Sequence, residues 1–288
     1  MDNIATLNRA VRWKRINGIV FEILRYALLT IWLVFAIFPL FWMVLMSMKS
    51  DAEVVGTVFN FTPTLVNFHV VLFRHDSNYI MAFIQNFVVS GGAILLTLIA
   101  GVPAAYAFAR YDFKNKETWA FQILSFRFAP EILVILPVFM IFQRIGLYDT
   151  YFGLIWVYQL ITMPLLIWVV RGYFEDINVE IEQAAQLDGY AWYEVFIKIL
   201  LPLIKPGLVA ASLLAFIFAW NSFTFPLILS GVNVQTITIT SLRYLASDSV
   251  RYGQVAVAAL IAVLPEIIIC LFIQKHLVRG LSFGAVKG

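Results

Sequence analysis

Stretches without a charged side chain divide the chain. Tyr26–Met48, Ser77–Ala109, Thr150–Val170 and Pro206–Leu242 contain no Asp, Glu, Lys or Arg. Two more apolar stretches carry isolated charges: Thr118–Gln143 holds Arg127 and Glu131, and Gln254–Gln274 holds Glu266. A bilayer core about 30 Å thick needs roughly 20 apolar residues per helix. The pattern therefore predicts six membrane-spanning helices near 26–48, 81–109, 119–143, 152–173, 203–229 and 254–275, with Gly231–Asn233 as loop. Residues 4–23 interleave Leu7, Val11, Ile16, Ile19, Val20 and Ile23 with basic residues. Two readings fit that segment: a short helix lying on the membrane surface, or a solvated tail. The following apolar run is too long for a signal peptide.

Composition supports the same class. Of 288 residues, 62% are hydrophobic and 13% charged, against about half and a quarter in a soluble domain. Such a chain is neither soluble and globular nor disordered, and with one cysteine, Cys270, it is no disulfide scaffold. A net charge of +3 gives no reason to expect a nucleic-acid partner. The positive charges are unevenly distributed. With the N-terminus in the cytoplasm, fourteen Lys and Arg residues fall inside and five outside, Arg127 lying within a span. That bias places both termini in the cytoplasm. The expected fold is an all-α polytopic membrane protein. A cytoplasmic segment 1–25 precedes a membrane domain 26–277, and a cytoplasmic tail 278–288 follows.

The chain lacks the chemistry of an enzyme. It has no phosphate-binding G-x-x-x-x-G-K-[ST] loop, so any ATP hydrolysis must be performed elsewhere. His69, His75 and His276 are scattered, no metal cluster is indicated, and the spans contain no aspartate. Chemistry-bearing residues inside the spans are few. Arg127 and Glu131 are four apart, but Pro130 between them disfavours a regular helix at Ala129. They either pair or line a polar cavity, because a lone charge in the membrane is expensive. Asn221 and Ser222 offer hydrogen bonds to a sugar hydroxyl or to a neighbouring helix. Glu266 follows Pro265, and its role stays open. The many aromatic residues suit stacking on sugar rings, but also suit membrane interfaces.

The most informative segment lies between the fourth and fifth spans. Residues 180–207 read as a helix, a break at Asp188-Gly189, and a second helix ended by Pro202 and Pro206. The second helix carries Val195, Phe196, Ile199 and Leu200 on one stripe, with Glu194 and Lys198 on another. Such a pair suits docking to a soluble partner, although on periodicity alone a plain interfacial loop is the simpler reading.

Ala184-Ala185, Asp188-Gly189, Phe196, Ile199, Leu201-Pro202 and Pro206-Gly207 resemble the EAA loop of binding-protein-dependent ABC importer permeases. Gln183 stands where that motif has glutamate, with Glu182 one residue earlier, and Tyr190 replaces an alanine. Asn86, residues 101–110, Gly146-Leu147, Asp149-Thr150, Trp220-Asn221 and the ending 278–288 are similar to the carbohydrate-uptake branch, in the same order along the chain.

The resemblance implies a type I importer permease fold with its core over about 81–277 and a coupling loop over 176–202. It implies a second permease subunit as heterodimer partner, two ATP-binding subunits, an extracytoplasmic substrate-binding protein and a carbohydrate substrate. ATP and Mg would be used by the ATPase, and no cofactor by this chain. The ATPase-coupling residues would be Glu182, Gln183, Ala184, Ala185, Asp188, Gly189, Tyr190 and Phe196. Tyr190, Trp192 and Phe196 would supply apolar docking surface, and Asp188, Glu182 and Glu194 would pair with basic residues of the ATPase. Gly284 and Lys287 would contact the ATPase from the tail. Arg127, Glu131, Asn221 and Ser222 are the candidates for the substrate pathway. A neutral oligosaccharide, a polyol and an acidic oligosaccharide all fit. The competing readings are a secondary transporter driven by an ion gradient, with Glu131 or Glu266 as its ion site, and a structural membrane scaffold.

Overall fold

A computed structural model describes residues 2–54, 59–74, 77–245 and 250–283, with side chains over 18–54, 59–74, 77–245 and 250–272. Gly284 and Lys287 lie outside the described residues. Every regular element described is helical. In chain order these are α1 (Asp2–Ser47), α2 (Val66–Phe73), α3 (Tyr79–Arg110), α4 (Lys116–Ser125), α5 (Glu131–Ile145), α6 (Tyr151–Val157) and α7 (Gln159–Glu175). Then come α8 (Val179–Leu187), α9 (Trp192–Glu194), α10 (Leu201–Trp220), α11 (Thr224–Leu229), α12 (Ile237–Leu242) and α13 (Tyr252–Phe283).

Four stretches are single helices long and apolar enough to cross a membrane: Gly18–Ser47, Tyr79–Arg110, Trp192–Trp220 and Tyr252–Phe272. Two bent pairs are, taken as single spans, also long and apolar enough. Lys116–Phe128 and Glu131–Ile145 meet at 94°, and Tyr151–Val157 and Gln159–Glu175 meet at 43°. With each bent pair taken as one span, six stretches stand where hydropathy puts them, but three details differ. The third is broken, because Ala129 is extended (φ −65°, ψ 129°) before Pro130, as a residue preceding proline prefers. The fifth ends at Trp220 rather than near 229, with Asn221–Phe223 as a break before α11. The segment 4–23 is not a separate helix, since α1 runs through it unbroken.

Each crossing contains a proline: Pro39, Pro103, Pro137, Pro164, Pro206 and Pro265. An interior proline removes one backbone hydrogen bond and bends a helix. The core is α3, which packs along α7, with α10 against both and α13 against α10. Close approach is allowed by small residues on α3. A Cβ on Gly92 would lie 2.7 Å from Ile155 Cδ1, and one on Gly101 would lie 3.1 Å from Leu166 Cδ2. Between these glycines, Thr97 Oγ1 bonds Gln159 Oε1 at 2.7 Å and Thr162 Oγ1 at 2.6 Å, and Gln159 Nε2 donates to Ala93 O at 3.1 Å. Interhelical polar contacts of this kind lock register where lipid supplies no hydrophobic drive.

The helix α6 starts at a conventional cap. Thr150 is extended (φ −125°, ψ 150°), and its Oγ1 accepts from Gly153 N at 3.0 Å. Thr150→Ala is expected to cost about 1 kcal/mol, read as a lower unfolding midpoint of the detergent-solubilised protein with uptake retained.

Candidate functional site: a coupling module and a membrane cavity

The loop expected to couple to an ATPase is helical from Val179 to Leu187, with Glu180 and Glu182 in its first turn, where the helix dipole favours acids. It ends at Gly189, whose φ of +90° is a left-handed conformation that glycine adopts without strain. Backbone bonds from Gly189 N to Gln186 O and from Tyr190 N to Ala185 O, both 3.1 Å, close the turn. The chain then enters α9, where Glu194 Oε2 accepts from the Ala191 N–H at 3.0 Å and Oε1 from Lys198 Nζ at 2.7 Å.

Six residues, Val195–Leu200, form a π-helical turn between α9 and α10. The Leu201 N–H reaches back five residues to Phe196 O. The local cause is Pro202, whose ring would collide with a carbonyl four residues back in a regular helix. Widening the turn by one residue relieves that clash.

The expected coupling residues separate into two faces. Gln183, Ala184, Asp188, Gly189 and Tyr190 are exposed. So are three apolar side chains: Leu187 is 90% exposed, Trp192 63% and Tyr193 53%. Glu182 and Ala185, three apart, face inward and are buried. The Glu182 carboxylate turns into its own chain. It accepts from Tyr106 Oη at 3.0 Å and from Arg110 Nε, while Arg110 Nη2 donates to Ile177 O at 2.8 Å. Phe196 also faces inward, with ring centroids 5.1 Å from Tyr106 and 6.1 Å from Phe174. Outward apolar contact thus belongs to Leu187, Tyr190, Trp192 and Tyr193, and Phe196 is the loop's foot in its own chain. Sequence reasoning did not place Tyr106 or Arg110 in the site. Both end the α3 segment singled out by the family resemblance, but nothing in spacing links them to a loop over 70 residues later.

The four pathway candidates converge. A cavity of about 510 Å³ at the breaks after α4 and α10 is lined by Arg127, Glu131, Asn221 and Ser222, with walls that include Phe126, Phe128, Phe218, Phe223 and Phe225. Arg127 and Glu131 share this cavity rather than an ion pair. Arg127 Nη1 donates to Ile161 O at 3.3 Å, and the guanidinium sits 4.0 Å from the Phe218 ring centroid. Asn221 Nδ2 donates to Ile217 O at 3.0 Å and to Glu266 Oε1. Glu266 is thereby tied to the rim of α10. Ser222 is 7% exposed, and its hydroxyl makes no hydrogen bond of ordinary geometry among the described residues.

Between α5 and α6, Asp149 (φ 55°) holds the loop after α11. Its carboxylate accepts backbone N–H bonds from Gly231, Val232, Asn233 and Val234 at 2.7–3.0 Å, and one from Asn233 Nδ2 at 3.0 Å. Gln85 adds bonds to Asn233 O at 2.9 Å and from Gln235 N at 2.8 Å. Burial alone would push the Asp149 pKa up, but the four backbone N–H groups outweigh it and hold it below the usual aspartate value. No group of metal-ligating side chains occurs among the described residues.

The chain is similar to known transport proteins along nearly its whole length. It is 33% identical over 258 residues to the trehalose transport system permease protein SugB of Mycobacterium tuberculosis, covering 88% of this chain and 93% of that protein. It is 32% identical over 270 residues to the maltose/maltodextrin transport system permease protein MalG of Vibrio vulnificus, covering 88% and 91%. In fold it matches a chain of a bacterial ABC transporter involved in the import of the acidic polysaccharide alginate. That match has a TM-score of 0.75 and 24% identity, over 89% of this chain and 96% of the other. Residues 101–283 match the profile of the binding-protein-dependent transport system inner membrane component. With that profile covering more than half of the chain, the chain belongs to the binding-protein-dependent inner-membrane permeases of ABC importers.

Proposed function

We propose that this chain is the permease subunit through which an ATP-driven importer passes a carbohydrate delivered by an extracytoplasmic binding protein. The observation that carries the reading is the coupling module, an exposed apolar face at Leu187, Tyr190, Trp192 and Tyr193 on a base buried in the chain's own core. A face of this kind suits burial against a soluble subunit, and aromatic residues dominate such contacts. Gln183, Ala184, Asp188 and Gly189 lie beside it and complete the docking surface. The partner ATPase binds and hydrolyses ATP with Mg, and a second permease subunit completes the pore. The α1 span, none of whose most apolar window is buried within this chain, leaves ample surface for such a neighbour.

The carbohydrate reading is supported by the named relatives and by the cavity's chemistry. Phenylalanine walls offer apolar faces to sugar rings, and Arg127, Glu131, Asn221 and Ser222 offer hydrogen bonds to hydroxyls. The test is uptake of labelled trehalose, maltose and an acidic oligosaccharide into proteoliposomes. These carry the chain with its co-purifying permease and ATPase, and the binding protein is added outside. Sugar uptake that requires ATP supports the reading. Uptake that an ion gradient drives without ATP refutes it. In the same assay Asn221→Ala is expected to lower uptake at limiting sugar about fivefold, the scale of one lost hydrogen bond of about 1 kcal/mol. Unchanged uptake would remove Asn221 from the pathway.

A further inference from the structure

Glu182 is 6% exposed, and the Arg110 side chain is nearly as buried. Their contact joins the coupling helix α8 to the C-terminal end of α3, the helix at the centre of the core. Among the described residues, the bonds of Glu182 to Tyr106 and Arg110 are the only side-chain hydrogen bonds between α8 and a membrane-spanning helix. Arg110 also holds the start of the loop through Ile177 O. The pair sits beside a knot of rings, with Tyr106 5.3 Å from Phe174 and 5.1 Å from Phe196. Charge-assisted bonds are short and directional, so they transmit a displacement with its direction. Ring contacts on the same cluster fill space without fixing direction so tightly. A buried ion pair is also a weak source of stability, because desolvation offsets its attraction, and its best-attested use is to set register.

We propose that Arg110 and Glu182 are positioning residues: together they form the joint through which movement of the docked coupling helix is passed to α3. With the joint cut, the ATPase turns over against a loop that moves without carrying the helix bundle. The inference rests on the importer reading and goes beyond it, because docking explains the outward face of the loop and leaves the inward one unassigned.

The test uses the full importer in proteoliposomes, with uptake and ATP hydrolysis measured on the same vesicles. ATP-dependent uptake by the wild-type complex is the first requirement, and its absence sinks the importer reading rather than the joint. Glu182→Gln keeps the shape and removes the charge. Sugar moved per ATP hydrolysed is expected to fall about tenfold, within the range typical of coupling between two sites. The reversed pair Arg110→Glu/Glu182→Arg is expected to recover part of that ratio relative to either single variant. Tyr106→Phe, which keeps the ring cluster and removes one bond to Glu182, should shift the ratio in the same direction by less. If Glu182→Gln fails to assemble, Tyr106→Phe carries the test. An unchanged ratio, or uptake and hydrolysis that fall in proportion, would overturn the proposal.

Discussion

Gly189→Pro is expected to reduce ATP-driven uptake about tenfold or more and to weaken retention of the ATPase during purification. The reason is local. Gly189 sits at φ +90° and donates its N–H to Gln186 O. Proline holds φ near −65° and has no N–H, so it can adopt neither feature. It also pushes the residue before it out of the helical region, whereas Asp188 sits at φ −73°, ψ 2°. The turn between α8 and α9 must open, and Leu187 and Trp192 lose their common face. A misplaced proline costs about 3 kcal/mol, enough for a hundredfold change in docking if it were all expressed there. Gly189→Ala is the milder control, with a left-handed penalty of about 1–2 kcal/mol and the N–H kept. Co-purification of the ATPase, uptake and thermal unfolding are read together. Normal assembly and transport by Gly189→Pro would refute the docking role of the loop.

The second large effect is at the loop after α11. Asp149→Ala is expected to lower stability by about 2–3 kcal/mol, because it removes a charged acceptor shared by four backbone N–H groups. The effect carries a pH signature. The folded-state pKa of Asp149 is held below the ordinary value of 3.8, so the carboxylate's contribution is fully present above that value. It is lost as the pH falls through the depressed folded pKa. Wild type and Asp149→Ala should therefore differ in unfolding midpoint at neutral pH, and the difference should shrink only in strong acid. A gap that closes between pH 7 and pH 5 would mean that another group is responsible. Gly231 belongs to the same assembly, since a Cβ there would lie 2.7 Å from Asp149 Oδ2.

The six crossings were legible because each is an apolar run long enough to span a bilayer, and lipid imposes that requirement wherever the chain crosses. The helix, turn and second helix over residues 179–200 were legible through Asp188-Gly189, whose backbone demand is local. The break at Pro130 was also signalled, but its 94° angle was not. At that break Arg127 meets Ile161 O and the Phe218 ring, both far along the chain and invisible to local pattern. The end of α10 at Trp220 was hidden because residues 223–229 are as apolar as the span itself. Asn221 was read as a pathway or packing residue without its partner, because Glu266 is 45 residues away on α13. The inward turn of Glu182 and Phe196 was hidden for a related reason. An acid and an aromatic on a cytoplasmic loop suggest outward contacts, and only the packing of α3 and α7 beneath them reverses that. Family membership also displaces the ion-gradient reading that Glu131 and Glu266 left open.

The π-helical turn at Val195–Leu200 has a consequence for phase. A regular helix advances about 100° per residue, so one extra residue in a turn rotates everything before it by roughly that angle relative to everything after. The inward stripe of α10 runs through Ile204, Gly207, Ala211, Ala215 and Ala219 at helical spacing, whereas Val195 and Leu200 are both buried at a spacing of five. One continuous screw thus serves two mating surfaces cut at different angles, one against the bundle and one against the coupling helix. Removing a single residue from this turn would leave both surfaces chemically intact and set them out of step with each other.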